Sequence, residues 1–286
     1  MERHAFRAMG TEVELLLEGA DSEEAGPAFA RAEAEFERLE AIFSRFRPES
    51  ELSRLNDRGS LDASPELATV VELALAARDR TAGRFDPTVH DALVAAGYDR
   101  TFEELDGSSD ESGAHPTGGG VRVRGSRVEL DPGVRLDLGG IAKGYAAERV
   151  AALLAPVGGC LVNAGGDVST CGGPDGGWPV GVETPSGTIT LALKRGALAT
   201  SGSDRRRWRT ATGERHHLID PATGRSAESD LLRVTVVASC AVEAEVAAKA
   251  LFLAGEEAAA AEADAAGLPA VLVTTNGRTR LAGGLG

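Results

Sequence analysis

Asp137-Leu138-Gly139-Gly140-Ile141-Ala142-Lys143-Gly144 sets two glycines and a lysine between an alternating apolar stretch, 134–138, and a helical one, about 143–154. Glycine tolerates left-handed backbone and lets a ligand come close to the chain. The free amides at a helix start attract anions, and Lys143 adds a cation there. The spacing matches neither the dinucleotide fingerprint GxGxxG nor the phosphate loop GxxxxGK[ST], so Rossmann and P-loop folds drop out. What remains is a strand–turn–helix corner, either a packing turn or a pyrophosphate cradle. A second corner, Asn163-Ala164-Gly165-Gly166-Asp167, makes the same offer with a carboxylate attached. Two such corners move the balance toward an anion or nucleotide site.

Outward from these corners the pattern mixes hairpins with isolated helices. Residues 11–18 alternate and predict a first strand. Phe29, Phe36, Leu39, Phe43 and Phe46 recur at helical spacing and predict a helix over 23–46, stopped by Pro48. Residues 50–56 read as a polar turn region, and 61–80 as a second helix with Ser64 as N-cap and Pro65 at its first position. Residues 121–131 predict a hairpin turning at Gly125-Ser126. Downstream lie strands near 160–169, 180–184, 188–194, 196–202 and 232–238. A helix over 241–253, an alanine-rich helix, a strand over 270–274 and the Asn276-Gly277 turn complete the pattern. This is an α+β arrangement rather than a doubly wound parallel sheet. Residues 106–120 have almost nothing to bury and read as a mobile surface insertion.

The 286 residues and 42% apolar content suffice for one large domain or two lobes. A formal charge of −14 repels nucleic acid and anionic membranes, so a phosphate-bearing ligand needs a local trap. Cys160, Cys171 and Cys240 are odd in number and match no zinc or CxxC spacing. There is no apolar leader and no run of 18 apolar residues, which makes a cytoplasmic location without a membrane segment the expectation. Neither GxSxG nor HExxH occurs, nor a supported Cys–His pair, so hydrolase and zinc-enzyme classes lose most of their support. His217, just before Leu218-Ile219-Asp220-Pro221, is a general base, a phosphate contact or a loop histidine bonded to backbone. The Arg205–Arg209 run is a solvated loop or a phosphate contact in so acidic a chain.

Taken together, these pieces resemble one family. They are Met9-Gly10-Thr11, the stretch from Phe43 to Asn56, Gly83-Arg84-Phe85-Asp86-Pro87-Thr88, both glycine corners, Ala199-Thr200-Ser201-Gly202, and His217 to Gly224. In this order, across nearly the whole chain, they are similar to the ApbE-type FAD:protein FMN transferases (thiamine biosynthesis lipoprotein-like proteins). The resemblance implies an α+β fold of two lobes within one domain, with mixed or antiparallel sheets, flanking helices and a flavin cleft between the lobes. It implies Mg²⁺-dependent transfer of the FMN half of FAD to a Ser or Thr hydroxyl of an acceptor flavoprotein, releasing AMP. Carried onto this chain, Asp137, Gly139, Gly140, Ile141 and Lys143 would lie at the pyrophosphate, with the Gly140 carbonyl facing the metal. Gly165, Gly166 and Asp167 would support the nucleotide, Met9 and Thr11 would line the flavin cleft, and Ser201, Gly202, His217 and Asp220 would complete the pocket. His217, Lys143 and Lys249 are the catalytic candidates.

One stretch departs from the family. Where relatives carry an Asp and a Thr four apart as Mg²⁺ ligands, Ala244-Glu245-Val246-Ala247-Ala248-Lys249 places Glu245 and Lys249. Glutamate can ligate Mg²⁺; lysine offers three donors and no acceptor. Either Mg²⁺ binds with Glu245, Gly140, phosphate and waters, or the Lys249 ammonium stands where the metal would, or the pair is ordinary helix decoration. The transferase expectation therefore carries two alternatives: an FAD-binding protein with weak or no transfer, and an FAD pyrophosphatase.

Overall fold

The computed structural model describes residues 1–105, 113–210 and 213–285, which fall into two compact units. Unit 1 comprises Met1–Glu40, Ile141–Ser201 and Asp230–Gly286, and unit 2 comprises Ala41–Gly140 and Gly202–Ser229. Seven α-helices occur among the described residues: α1 (Ser22–Phe43), α2 (Glu51–Arg58), α3 (Pro65–Arg80), α4 (His90–Ala95), α5 (Ala142–Leu154), α6 (Ala241–Ala254) and α7 (Glu256–Ala266). None of the helices is long and apolar enough to cross a membrane. The α+β expectation holds.

Unit 1 is built on an eight-stranded sheet. Its order is Glu2–Ala8, Thr11–Glu18, Gly159–Ala164, Asp167–Cys171, Gly196–Gly202, Leu231–Ala238, Ala270–Thr274 and Thr279–Ala282. The expected first strand is thus the second. Glu2–Ala8 pairs antiparallel with it through a turn at Met9-Gly10, where Met9 itself takes a left-handed φ of 52°. Packing explains the extra strand: His4 stacks on Phe29 of α1 at 5.4 Å and Phe6 meets Phe36 edge-on at 5.5 Å. Helices α5 and α6 pack on the sheet, and the Cys160 thiol donates to the Ala151 carbonyl of α5. The neighbouring Leu161 instead joins Trp178, Val182 and Leu193 of the hairpin Trp178–Thr184/Gly187–Leu193. Such alternation is what a strand between two layers requires.

Unit 2 corrects three expectations. Helix α1 ends at Phe43, and Phe46 instead lies 5.6 Å from the Tyr98 ring, beside a cluster of Ala92, Leu93, Trp208 and Ile219. The polar stretch 50–56 is largely helix. Ser50 accepts the Ser53 N–H as N-cap, Leu52 and Leu55 are fully buried, and Gly59 closes α2 at φ 71°. Residues 134–138 are extended but join no ladder. Asn56 takes the place of a neighbouring strand: its amide donates to Leu136 O and accepts from Leu136 N, both at 2.8 Å. Leu136 and Leu138 are buried on the inward side.

Elsewhere in unit 2 the expected hairpin is present, but the helix expected from 61 begins at Pro65, because 60–62 pair as a strand instead. Val121–Arg124 and Arg127–Leu130 form the expected hairpin, extended by Ser60–Asp62. Ser64 caps α3 through the Leu67 N–H. Of the expected mobile insertion, residues 106–112 lie outside the described residues. Residues 113–120 are anchored instead: Thr117 Oγ1 donates to Pro221 O at 2.8 Å, and Gly118 N donates to Thr88 Oγ1 at 2.7 Å.

Candidate active site

In unit 1 the sheet and two helices bring four of the candidate residues together. Lys143 lies in the first turn of α5, Asp167 follows the double-glycine turn, and Glu245 lies in the second turn of α6. The Lys143 ammonium sits between the two carboxylates, bonded to Asp167 Oδ2 and, at 2.8 Å, to Glu245 Oε1. Asp167 is 3% exposed and Glu245 4%. Burial first, then the neighbouring Glu245 charge, push the Asp167 carboxyl up to about 6, while Lys143 and Lys249 pull the other way. Lys249, one turn beyond Glu245, is therefore near enough for its charge to reach Asp167.

Glu245 has a second task. Helix α5 has Ile141 at its N-cap, which makes no side-chain capping bond. Glu245 Oε2 accepts the Gly144 N–H at 2.9 Å and so serves a donor that the helix start leaves without an intrahelical partner. Gly144 makes this approach feasible. A Cβ there would stand 2.8 Å from Ala241 O and 3.0 Å from Glu245 Oε2.

The second corner is a tight turn between paired strands, with Gly165 at φ 66° and Gly166 at φ 104°. Here the glycines are needed for backbone geometry. Asn163 Oδ1 accepts the Gly166 N–H at 2.9 Å, and a Cβ on Gly165 would lie 2.2 Å from Thr11 Oγ1. Met9 N donates to Glu40 at 2.9 Å, Ser201 is buried, and Ile141 is fully enclosed in the core.

In unit 2 the Asp137 carboxylate is already engaged on both oxygens. Arg45 Nε lies 2.8 Å from Oδ2, and Gly139 N donates to Oδ1 at 2.8 Å. Gly139 does not adopt a left-handed φ; its lack of a side chain matters because a Cβ would crowd Asp137 Oδ1 at 3.0 Å. Asp137 thus braces the turn. Arg45 also donates to Tyr98 O at 2.7 Å and lies over the Phe46 and Tyr98 rings. The adjacent histidines differ. His216 is fixed by main chain, to Ala227 O at 2.9 Å and from Leu218 N at 3.3 Å, and burial lowers its pKa. His217 is half-buried next to it. Asp220 Oδ1 accepts the Ala222 N–H at 2.9 Å and shapes the turn of 220–224, as a brace would. Gly140 and Gly202 belong to this unit.

Arg45 and Asn56 are the participants that sequence reasoning missed. Arg45 lies in a stretch read by its apolar spacing and Asn56 in one read as a polar turn, and each partner lies far along the chain. The divalent ion implied by the resemblance fits this donor set poorly. Both Glu245 oxygens face N–H donors, Lys249 has no acceptor, and among the described residues no group of three or more His, Cys, Asp and Glu is placed to hold a metal.

Known proteins resemble the chain along most of its length. A model of the ApbE family matches residues 9–272. FAD:protein FMN transferase of Escherichia coli K12 is 26% identical, over 95% of this chain and 83% of its own. The Vibrio cholerae enzyme of the same name is 31% identical, over 80% of this chain and 74% of its own. Among solved structures, the ApbE protein of Thermotoga maritima superposes with a TM-score of 0.83 at 26% identity, covering 98% of this chain and 96% of the other. The flavin transferase ApbE of Vibrio cholerae gives 0.76 at 25%, covering 98% and 97%. The chain belongs to the ApbE family.

Proposed function

We propose that this chain is an FAD:protein FMN transferase, with its two units as the lobes of one domain. The observation that carries the reading is the match of residues 9–272 to one family whose curated relatives share that activity by name. The reaction moves one phosphorus. A Ser or Thr hydroxyl of an acceptor flavoprotein attacks the FMN-side phosphorus of FAD, the new O–P bond forms, and the pyrophosphate bond to AMP breaks. The hydroxyl proton passes to a base, and AMP leaves with the bridging oxygen.

His217, half-buried beside His216 and just ahead of the turn shaped by Asp220, is our candidate for that base or for positioning the phosphate. The corner 137–144 supplies backbone amides to the pyrophosphate, held in shape by Asp137. Gly165 makes room for the Thr11 side chain, and the open space beside Gly166 would take the nucleotide. Mg²⁺ at Glu245 is not carried over from the resemblance, and no step is routed through it. Incubating the protein with FAD and an FMN-accepting domain, then weighing the intact acceptor, tests the reading. The expected gain is the mass of FMN less water; an unchanged acceptor beside bound FAD would support the mere binding protein.

A further inference from the structure

We propose that the positive charge needed at the phosphates is built into the chain as Lys143 and Lys249, and that Glu245 holds Lys143 and the start of α5 in place of a divalent ion. This rests on the FAD:protein FMN transferase reading. It is carried by the surroundings of Glu245, Asp167 and Lys249. Glu245 is 4% exposed, with Lys143 Nζ 2.8 Å from one oxygen and Gly144 N 2.9 Å from the other. Its carboxylate is therefore bound within the protein, to an ammonium and to the positive end of a helix. The same ammonium is paired with Asp167, so the second carboxylate is also engaged. Lys249 stands at the position i+4 from Glu245 and cannot donate an electron pair while protonated.

The fold is shaped to hold this arrangement. Gly144 lets α5 approach α6 until its N–H reaches Glu245, and any side chain there would strike the Ala241 carbonyl. Mg²⁺ requires near-octahedral oxygen ligands at about 2.1 Å. To enter beside Glu245 it would have to displace Lys143 from both carboxylates, with a second lysine close by. An ammonium needs no such cage. It is a compact point charge with three donors that can contact phosphate oxygens.

The test uses Mn²⁺ as the probe, read by electron paramagnetic resonance on the full chain with FAD present and with free FAD as reference. Quenching of flavin fluorescence in the same samples reports FAD binding. The expected result is no Mn²⁺ bound beyond that held by FAD alone, in the natural protein and in Glu245→Gln alike. One Mn²⁺ per chain that disappears in Glu245→Gln overturns the proposal. A second arm measures FAD affinity of Lys249→Met in EDTA, where about a tenfold loss that added Mg²⁺ does not restore is expected. Unchanged affinity in that variant overturns the part given to Lys249. Failure of the natural protein to quench FAD at all overturns the transferase reading beneath both arms, and it is seen separately from the Mn²⁺ signal.

Discussion

Replacing Arg45 with Ala leaves the Asp137 carboxylate stranded inside unit 2. The Arg45 side chain is 6% exposed and that of Asp137 11%, with Nε and Oδ2 2.8 Å apart. Burial lowers the Arg45 pKa and Asp137 raises it again, the sign expected of a desolvated but compensated ion. Removing one partner of such a buried pair costs about 3–5 kcal/mol, because the survivor keeps its desolvation penalty. The lost contact with the Phe46 and Tyr98 rings, whose centroids lie 4.2 and 4.6 Å from the guanidinium, falls within that figure. Asp137→Asn added to Arg45→Ala removes the stranded charge while Asn can still accept the Gly139 N–H. The double variant should therefore regain about 2 kcal/mol over Arg45→Ala. Of the two tryptophans, Trp208 lies in the unit 2 core and bonds Ala96 O, so urea unfolding followed by its fluorescence in a Trp178→Phe background reads this unit. If single and double variants agree within about 0.5 kcal/mol, the pair is not coupled and the brace assigned to Asp137 is wrong.

Two other variants probe the same framework. Gly144→Ala should destabilise unit 1 by about 1–3 kcal/mol through overpacking against the Ala241 carbonyl; a gain in stability, as alanine's helix preference alone would give, contradicts the close approach of α5 and α6. For His216 the folded pKa is depressed by burial, so its contribution is present above the ordinary imidazole range and lost as pH falls through the lowered value. Urea stability should therefore drop on acidification below about pH 6.5, and His216→Gln should flatten that drop by up to one proton's worth of slope. An identical pH profile in the variant would show that His216 does not titrate with unfolding.

Local signals made most of the framework legible before the structure. Alternation exposed most of the sheet strands, though not Glu2–Ala8 or Thr279–Ala282, and the Ser64-Pro65 pair marked a helix start. Glycine doublets marked both corners, but the reasons differ: Gly165 and Gly166 need left-handed backbone, whereas Gly139 and Gly144 need space. Helix α2 was missed because its polar residues outweighed Leu52 and Leu55, although Ser50 and Gly59 marked its ends. Residues 134–138 alternate like a strand, yet Leu136 is held by the Asn56 side chain and Asp137 N by the Pro87 carbonyl, which no periodicity reveals. The charge cluster was half legible. Lys143, Asp167, Glu245 and Lys249 could each be picked out as candidates. That Lys143 bonds Glu245, 102 residues further along, depends on how α5 meets α6 and has no local signature.

Product balance is the most direct test of the transferase claim. Purified protein, FAD and an FMN-accepting domain are incubated together. AMP and free FMN are then separated chromatographically while the acceptor is weighed intact. One AMP is expected for each acceptor that gains FMN, with no free FMN accumulating, and both products should be lost when the acceptor hydroxyl is removed by Thr→Val or Ser→Ala. AMP and free FMN released in equal amounts, with or without the acceptor, would contradict the transferase claim and identify water as the nucleophile.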